Sequence, residues 1–324
     1  MSFEVKPYHH DLKEAWNTFV ASAKNATFLF NRNYMDYHAD RFRDCSLMVY
    51  KNSFLVAILP ANSADGRVVS HQGLTYGGLV LHAETKLIDA VQIFKSVLQF
   101  FHDAGYHELI YKKLPHFYHR SPAFEDDYFL FLAGAACFRV DTAFVLQRKD
   151  AGAYQKRRQR AIQKAKSFSI RIIEQPDLTF FWTHLLTPNL QTRFGINPVH
   201  SLEEIQLLQS RFPGQIRYFA AVMDDEEIAG TLLFITDTAV HAQYIAAGDE
   251  GRKTGALDLL FHELITTLRL ELPYFSFGIV NEEEGRKMNV GLMEWKEGFG
   301  AAAFPHYFFR VETAGYSKLD SLST

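Results

Sequence analysis

The chain has 324 residues, of which 48% are hydrophobic and 22% charged, and its formal net charge is −3. These values are typical of a folded protein with two domains, because a single core rarely grows beyond about 250–300 residues. The slight negative charge argues against a DNA-binding protein, although it leaves room for one local basic patch.

The first residues, MSFEVKPYHHDLKEAW, contain no apolar stretch of the kind found in signal peptides. No run in the sequence reaches about 18 uninterrupted apolar residues, so no membrane span is expected. Cys45 and Cys137 lie far apart and form no C-x-x-C pair. A reduced, cytoplasmic compartment is therefore the expected location.

The first half of the chain alternates strand and helix patterns. A short strand over 3–8 precedes a helix within 9–23, and 46–61 reads as a hairpin turned at Lys51 and Asn52. The glycine-rich stretch GLTYGGLVL at 73–81 follows. The clearest helix has apolar residues at steps of four and three and ends at Gly105; they are Leu87, Val91, Phe94, Leu98 and Phe101. Strands over 107–114 and 137–147 come next.

A basic segment separates the two halves. From 154 to 166 it carries six Lys or Arg residues and no acidic residue, above a thin apolar stripe that predicts a helix. One interpretation is a solvated helix face. The other is an anion site formed by Arg157, Arg158 and Arg160, because an unbalanced basic helix repels itself unless phosphate or carboxylate is near.

The second half repeats the order of the first. A strand at 169–175 and a helix opened by Ser201 and Glu204 as a capping box precede a hairpin over 216–235. A strand at 239–248, a helix and the strand YFSFGIV at 274–280 follow. The helix has one apolar face, formed by Leu257, Leu260, Phe261, Leu264 and Leu268. This repeated order predicts a structural duplication.

The last notable segment is NVGLMEWKEGFGAAAFPHYFFR, residues 289–310, in which Lys296 follows Trp295 and is surrounded by glycines. Glycines let backbone pass close to a ligand, and the Trp295 ring can anchor the segment. Consecutive side chains diverge, so Lys296 would then point toward a cleft. The alternative is a snorkelling surface lysine paired with Glu294 or Glu297.

At this point the chain resembles a known family. The order strand, hairpin, strand, loop, helix, strand resembles the GNAT acyltransferase core, and two such cores with RRQRAIQKA and GLMEWKEGFG in the second resemble the FemAB-like acyltransferases. The resemblance implies a mixed α/β (α+β) fold with two tandem GNAT-like domains. We expect these domains at 1–148 and 149–324, with the donor site in the second.

The resemblance also implies a donor and its binding residues. GNAT enzymes hold the donor pyrophosphate on a loop before the central helix, and Arg252 and Gly255 match two of its three typical positions. Leu257 stands where a small residue is usual. The donor implied is acyl-CoA or, as in FemAB-like enzymes, aminoacyl-tRNA, with no metal.

The acceptor implied is a small, phosphate-bearing molecule such as a cell-wall or surface-polysaccharide precursor. Arg193 resembles the family's phosphate-contacting arginine, and Lys296 its lysine near the reacting acyl group. His71 and Tyr76, in SHQGLTYGG, are candidates for an acceptor cleft, or else belong to a glycine-rich strand connection.

Other site patterns are weaker. On the strand before the predicted donor loop, alternation places His241 and Gln243 on one face and Tyr244 on the other. His262-Glu263 lacks the second histidine of H-E-x-x-H, and no G-x-S-x-G elbow occurs, so neither a metal site nor a nucleophilic serine is predicted.

The sequence therefore predicts an acyltransferase. It would move an acyl or aminoacyl group to an amine or hydroxyl, with Lys296, His241 and Gln243 as catalytic candidates and Trp295, Tyr244, Arg157 and Arg158 among the substrate-binding ones. The alternative is a non-catalytic GNAT-fold module that keeps an anion-binding cleft.

Overall fold

The computed structural model describes residues 3–151, 154–266 and 272–322. The strands are β1 (Glu4–Pro7), β2 (Arg43–Asp44), β3 (Leu47–Lys51), β4 (Phe54–Leu59), β5 (Asn62–Ala64), β6 (Arg67–Val69), β7 (Val80–Leu81), β8 (Glu108–Lys112), β9 (Ala136–Gln147), β10 (Arg171–Glu174), β11 (Ile216–Met223), β12 (Glu226–Ile235), β13 (Ala239–Ala247), β14 (Tyr274–Ile279), β15 (Asn281–Glu282), β16 (Lys287–Met288) and β17 (Ala302–Glu312).

The α-helices are α1 (Lys13–Ser22), α2 (Arg32–Met35), α3 (Leu87–Asp103), α4 (Glu125–Ala133), α5 (Lys156–Lys166), α6 (Thr187–Phe194), α7 (Leu202–Arg211), α8 (Asp249–Thr254), α9 (Ala256–Thr266) and α10 (Val290–Glu297). A π-helix, Phe181–Leu186, leads into α6, and 3-10 turns cover His10–Leu12, Phe28–Phe30, Asp36–His38, His116–Tyr118, Arg148–Asp150, Glu283–Gly285 and Thr313–Leu322. Within the described ranges, every helix is too short or too polar to span a bilayer.

The chain divides into two compact units. The first contains the residues up to Asp141 together with those from Pro305 onward, and the second runs from Thr142 to Phe304. The division therefore lies a few residues before the expected 148/149 boundary. The C-terminal residues group with the first unit because β17 pairs antiparallel with β8 over Phe308–Glu312.

The first unit contains an antiparallel sheet in the order β1-β3-β4-β7. It also contains β2, β5 and β6, joined antiparallel in that order, and β6 pairs in parallel with β8 at Val68–Leu109 and Val69–Ile110. Parallel neighbours need a long crossover, which α3 supplies. The apolar face of α3, including Val91, Phe94 and Leu98, is fully buried in this unit's core.

The second unit contains the antiparallel series β10-β11-β12-β13, followed by β14, which is parallel to β13 and antiparallel to the second half of β9. Helix α9 makes the parallel crossover, and its Phe261 packs on Phe275 and Phe277 of β14. A Cβ on Gly230 of β12 would meet Phe181 at 2.8 Å, so the π-helix lies close against the sheet. Both units thus repeat one plan, a parallel strand pair joined by a helix.

Several local predictions from the sequence are confirmed. Ser201 and Glu204 form the capping box of α7. The predicted hairpin of β3 and β4 forms, but its turn lies at Asn52 and Ser53, one residue later than expected; both residues have positive φ, as in tight hairpin turns. The basic segment is helical as α5. The predicted position of Leu268 in the helix after β13 lies outside the described residues.

The elements that were not predicted include α4, the π-helix with α6, and β17. The segment of β17 contains Pro305 and a run of alanines, which are poor strand formers. In the glycine-rich stretch GLTYGGLVL only Val80–Leu81 is a strand, and the residues before it form an irregular loop.

Two helical glycines should respond oppositely to alanine. A Cβ on Gly251 of α8 would lie 2.1 Å from the main-chain oxygen of Ile228, whereas one on Gly291 of α10 would meet only Asn289 at 3.9 Å. We expect Gly251→Ala to lower the free energy of unfolding by about 1–3 kcal/mol and Gly291→Ala to raise it by up to about 1 kcal/mol. Urea denaturation measures both, and equal shifts in the same direction would contradict the packing of α8.

Candidate functional site

The candidate site lies where the two parallel strands of the second unit separate. The pairing of β13 with β14 ends at His241 and Ser276, although β13 continues to Ala247 and β14 to Ile279. Gly278 of β14 has φ of +75°, which bends that strand. Beyond these residues the main chains of β13 and β14 no longer hydrogen-bond to each other.

A β-bulge on β13 contributes to this separation. Opposite β12, Leu232 pairs with Tyr244 and Leu233 with Ala242, so Gln243 is the extra residue. Bulges bend a strand and redirect its side chains. Gln243 interacts with His241, with which the sequence-based alternation groups it, and also with Tyr244, and it affects the pKa of each.

Lys296 lies in α10 and is 2% exposed. Its Nζ donates hydrogen bonds to the main-chain oxygens of Gly278 (2.9 Å) and Ile279 (2.8 Å), just beyond the last paired residue of β14. Burial lowers the pKa of Lys296 to about 7. Within the described residues it forms no ion pair with a carboxylate, so the snorkelling alternative with Glu294 or Glu297 does not describe its position.

His241 and Ser276 face each other at the last paired position. The distance from His241 Nδ1 to Ser276 Oγ is 3.2 Å. Burial lowers the pKa of His241 to about 4, and the nearby charge of Lys296 acts in the same direction. The imidazole is therefore neutral at pH 7, and a Cβ on Gly278 would lie 3.4 Å from its Cε1.

Gln243 supplies an unused acceptor. Its side-chain oxygen is buried and has no hydrogen-bond partner within the described residues. A buried carbonyl oxygen without a donor costs free energy, so such atoms need an explanation. At the end of the strand pairing, an N–H or O–H group of a ligand would satisfy it.

Tyr244 is held deeper in the fold. Its hydroxyl lies 2.7 Å from Nδ1 of His200, and its ring meets the edge of Trp182 at 4.9 Å between centroids. Burial raises the pKa of Tyr244 to about 12. Its hydroxyl is thus a neutral group bound to His200, and the predicted substrate contact stays a prediction.

Trp295 fixes α10 against the core, as the sequence suggests. Its ring packs on Phe261 (5.1 Å between centroids) and Phe299 (5.2 Å), and its Nε1 donates to Oδ1 of Asp258 (2.9 Å). Because consecutive helical side chains diverge, this anchoring directs the neighbouring Lys296 toward β14.

Arg158 points inward from the basic helix. It is 8% exposed, pairs with Asp258, and its Nη2 donates to the main-chain oxygen of Trp295 (3.2 Å). The guanidinium also lies over the Phe299 ring, 4.7 Å from its centroid. The charge of Arg158 is therefore used within the fold, which does not match the predicted role on a substrate phosphate.

The remaining cations of α5 are exposed. Arg157 is 88% exposed and lies 3.7 Å from Glu294, a distance at which an exposed pair contributes little. The other exposed cations of the helix are Lys156, Arg160, Lys164 and Lys166. This face of α5 matches both sequence interpretations, a solvated face or an anion site.

The predicted donor loop is occupied by internal contacts. Arg252 donates to the main-chain oxygen of Ala247 (2.5 Å) and to Asp249 (2.6 Å). Gly255, with φ of +79°, joins α8 to α9, and a Cβ there would lie 3.4 Å from the main-chain oxygen of Ala161 in α5. Helix α5 thus lies across the junction at which the resemblance places a pyrophosphate.

The structure does not bring the other predicted binding residues to this site. Arg193 is exposed in the last turn of α6 and forms no ion pair within the described ranges. His71 and Tyr76 belong to the first unit and are buried. His71 lies 5.2 Å from the ring of His38, and the hydroxyl of Tyr76 donates to Thr27 Oγ1 (2.9 Å).

Sequence reasoning missed three residues of the site: Ser276, Gly278 and Asp258. The first two are visible as a polar residue and a glycine inside the apolar strand YFSFGIV. Asp258, in the first turn of α9, gives no such signal. No group of three or more potential metal ligands is found among the residues that the structure describes.

Comparisons with known proteins agree with the fold. Residues 153–297, which contain Lys296, His241 and Ser276, match the acetyltransferase (GNAT) domain family. No curated protein matches the sequence significantly. Among solved structures, FemX superposes with a TM-score of 0.68 at 9% identity, covering 98% of this chain and 99% of FemX.

Two further structures resemble the whole chain. The C-terminal domain of a putative lysylphosphatidylglycerol synthetase from Agrobacterium fabrum has a TM-score of 0.58 at 10% identity, with 90% of this chain and 94% of that chain covered. A tandem GNAT protein from the clavulanic acid pathway has a TM-score of 0.52 at 12% identity, with 96% and 99% covered. The predicted mixed α/β fold is thereby confirmed: residues 153–297 match a GNAT domain, and the whole chain resembles FemX and a tandem GNAT protein in fold.

The buried Lys296 should make stability depend on pH. In the unfolded chain its pKa is 10.5 and in the fold about 7, so between these values the unfolded chain holds a proton that the folded one lacks. The free energy of unfolding therefore rises with pH across this window, by up to about 1.4 kcal/mol per unit, and the penalty is full below about pH 7. Lys296→Met should lack this contribution.

Urea denaturation of both proteins at pH 7, 8 and 9 measures it. The free energy of unfolding of the wild type minus that of Lys296→Met should increase with pH. A difference that is constant with pH would show that Lys296 keeps its ordinary pKa in the fold.

Proposed function

We propose that this chain, whose residues 153–297 carry a GNAT domain in a FemX-like fold, transfers an aminoacyl or other acyl group to an amine or hydroxyl acceptor. The observation that supports this most is Lys296. It is a buried amine with a pKa near neutrality, placed where β13 and β14 separate within the GNAT domain. Groups with such shifted pKa values concentrate at catalytic sites.

The hydrogen bonds of Lys296 suit a proton-transfer role. In the neutral amine, the two N–H groups are used by the oxygens of Gly278 and Ile279, and the lone pair is left to accept a proton. We assign Lys296 as the base that takes this proton from the attacking amine or hydroxyl. The new bond forms at the acyl carbon, the bond to the donor oxygen or sulfur breaks, and Lys296 returns the proton to the leaving atom.

The neighbouring groups suit orientation of the nucleophile. The oxygen of Gln243 forms no hydrogen bond of good geometry within the described residues and can accept one from an N–H or O–H group, and neutral His241 lies beside it without adding positive charge. Correct placement of the attacking atom accounts for a large part of enzymatic rate enhancement. A loss of this acceptor should therefore reduce turnover more than substrate binding.

For the donor, we favour an aminoacyl ester of tRNA over acyl-CoA. Helix α5 covers the α8–α9 junction at Gly255, where a coenzyme A pyrophosphate would need to approach. The same helix exposes five cations and no acid, which suits a polyanion. One structural neighbour is named a putative lysylphosphatidylglycerol synthetase, and that name describes an amino acid joined to a phosphate-bearing acceptor. A phosphate-bearing acceptor, a cell-wall or polysaccharide precursor among the options, and a cytoplasmic location stay predictions.

A second candidate function is a non-catalytic anion-binding module. The covered α8–α9 junction is the observation that favours it, since a member that had lost its donor loop would keep the fold. Binding of charged tRNA without any loss of the aminoacyl ester would select this alternative.

The experiment supplies the purified chain with radiolabelled aminoacyl-tRNAs or acetyl-CoA, and with either phosphatidylglycerol vesicles or a uridine-diphosphate-linked cell-wall precursor. We expect label to move from an aminoacyl-tRNA to one acceptor in a single turnover. Transfer from acetyl-CoA alone would overturn the donor assignment, and transfer from neither would remove the catalytic function.

Variants of Lys296 separate a base from a cation. We expect the turnover rate of the wild type to rise with pH through about pH 7, because the neutral amine is the active form. Lys296→Met should lose about a hundredfold or more in turnover. Lys296→Arg, which keeps the charge but cannot accept a proton at this pH, should lose nearly as much. Retained activity in Lys296→Arg would instead support a cation that stabilises the acyl oxygen.

Lys112 provides the matched control. It is also buried, its pKa is also lowered to about 7 chiefly by burial, and its Nζ likewise donates to two main-chain oxygens, those of His71 and Leu74. It belongs to the first unit. A folded Lys112→Met variant should keep its turnover rate within about twofold, whereas an equal loss in both variants would point to a structural cause.

The exposed face of α5 generates a salt prediction. Replacing Lys156, Arg157 and Arg160 by glutamine should weaken binding of tRNA and flatten the dependence of the dissociation constant on salt, because fewer counterions are released. Fluorescence anisotropy at 50–200 mM salt measures both effects. Arg158→Gln is the contrasting change, because it should lower thermal stability through the loss of the Asp258 pair. If the salt dependence is the same in the triple variant, the exposed face of α5 is a solvated helix face and not an anion site.

A further inference from the structure

Asp258 links three elements around the candidate site. One of its oxygens, Oδ1, accepts hydrogen bonds from Nε1 of Trp295 on α10 (2.9 Å) and from Nη1 of Arg158 on α5. Asp258 itself lies in the first turn of α9, where the helix dipole favours a carboxylate. A single carboxylate thus connects α5, α9 and α10.

The link between α5 and α10 is closed by main-chain contacts. Nη2 of Arg158 donates to the main-chain oxygen of Trp295 (3.2 Å), and the amide of Gln155 donates to the oxygen of Gly298 (3.0 Å). A Cβ on Gly298 would lie 3.1 Å from Nε of Arg158, so a larger residue there would displace the guanidinium. These contacts bracket Lys296 in sequence, one on each side.

We propose that Asp258 is a positioning residue for Lys296: through Trp295 and Arg158 it holds α10 at the depth at which the amine of Lys296 meets the oxygens of Gly278 and Ile279. The catalytic consequence of this inference rests on the proposed function. The placement itself can be tested without any substrate.

The geometry gives the reason. The side chain of Lys296 is long, and its nitrogen is held only by two carbonyl oxygens at 2.8–2.9 Å. These two hydrogen bonds alone do not prevent α10 from shifting along its axis. The two hydrogen bonds of the Arg158 guanidinium, one to Asp258 and one to the main-chain oxygen of Trp295, and the indole hydrogen bond are directional and fix one face of α10. Without the carboxylate, Arg158 would be left buried without a counter-charge and would move toward water, together with the helix it contacts.

The readout is the pKa of Lys296, measured by NMR on protein labelled with 13C at the lysine ε carbon. Burial is the cause of its lowered pKa, and Asp258 does not act on it directly, so an upward shift reports water reaching the amine. His241 faces the amine from β13, and Glu294 and Glu297 share its helix. Lys112, the other buried lysine with a pKa near 7, serves as an internal reference in the same spectrum.

We expect Asp258→Asn to raise the pKa of Lys296 by about one unit or more, with the Lys112 signal unchanged. The apparent pKa of the activity profile should rise with it. Glu294→Gln is the matched control: it removes an exposed carboxylate of α10 that lies 3.7 Å from Arg157, and it should leave the pKa of Lys296 in place. An unchanged Lys296 signal in folded Asp258→Asn would overturn the proposal.

If Asp258→Asn does not fold, the signals of both Lys296 and Lys112 will move, and Trp295→Phe is then the variant to measure. This variant removes the indole N–H and keeps an aromatic ring in the packing. A shift of Lys296 alone supports the positioning role, and no shift overturns it. If the pKa of Lys296 shifts but the wild-type protein has no transfer activity, the positioning role stands and the proposed function fails. Failure of the positioning role and failure of the proposed function are therefore distinguishable.

Discussion

An amine enclosed by protein and bonded only to two main-chain oxygens is the constraint on which the second unit depends. Removing a lysine ammonium from water costs several kcal/mol, and carbonyl dipoles offset only part of that cost. The charged form is therefore disfavoured and the pKa of Lys296 falls toward neutrality. The end of the β13–β14 pairing makes this possible, because it leaves the oxygens of Gly278 and Ile279 directed at a side chain rather than at a neighbouring strand.

The residues around Lys296 form a dry, well-packed environment in which the neutral amine is favoured. The aromatic rings of Phe261, Phe277 and Phe299 pack around Trp295 and exclude water, while the one buried guanidinium beside them, that of Arg158, is matched by Asp258. A paired charge and an unpaired amine thus lie on neighbouring helices. The contrast explains why one cation serves packing and the other keeps a titratable proton near pH 7.

The sequence predicts most of the longer strands, the crossover helices and the inward direction of Lys296, because these follow from periodicity and from glycines beside a lysine. It does not predict the pairing of Arg158 with Asp258, which lie 100 positions apart, since a cation in a basic run looks solvated. The bulge at Gln243 is likewise not predicted, because simple alternation carries no sign of it. For His71 and Tyr76 the sequence leaves two alternatives, an acceptor cleft or a glycine-rich strand connection, because it does not show that both side chains are buried in the first unit.

The neutral form of Lys296 has a chemical consequence for the chain itself. An uncharged amine is a nucleophile, and activated esters and thioesters acylate amines readily. The product would be an amide, which does not hydrolyse on a useful timescale, so one misdirected transfer would inactivate the molecule permanently. The two oxygens that hold the N–H groups of Lys296 also fix the direction of its lone pair. Gly278 and Ile279 must therefore hold the amine so that it does not attack the acyl group itself. If they did not, the peptide that carries Lys296 would show a stable increase in mass.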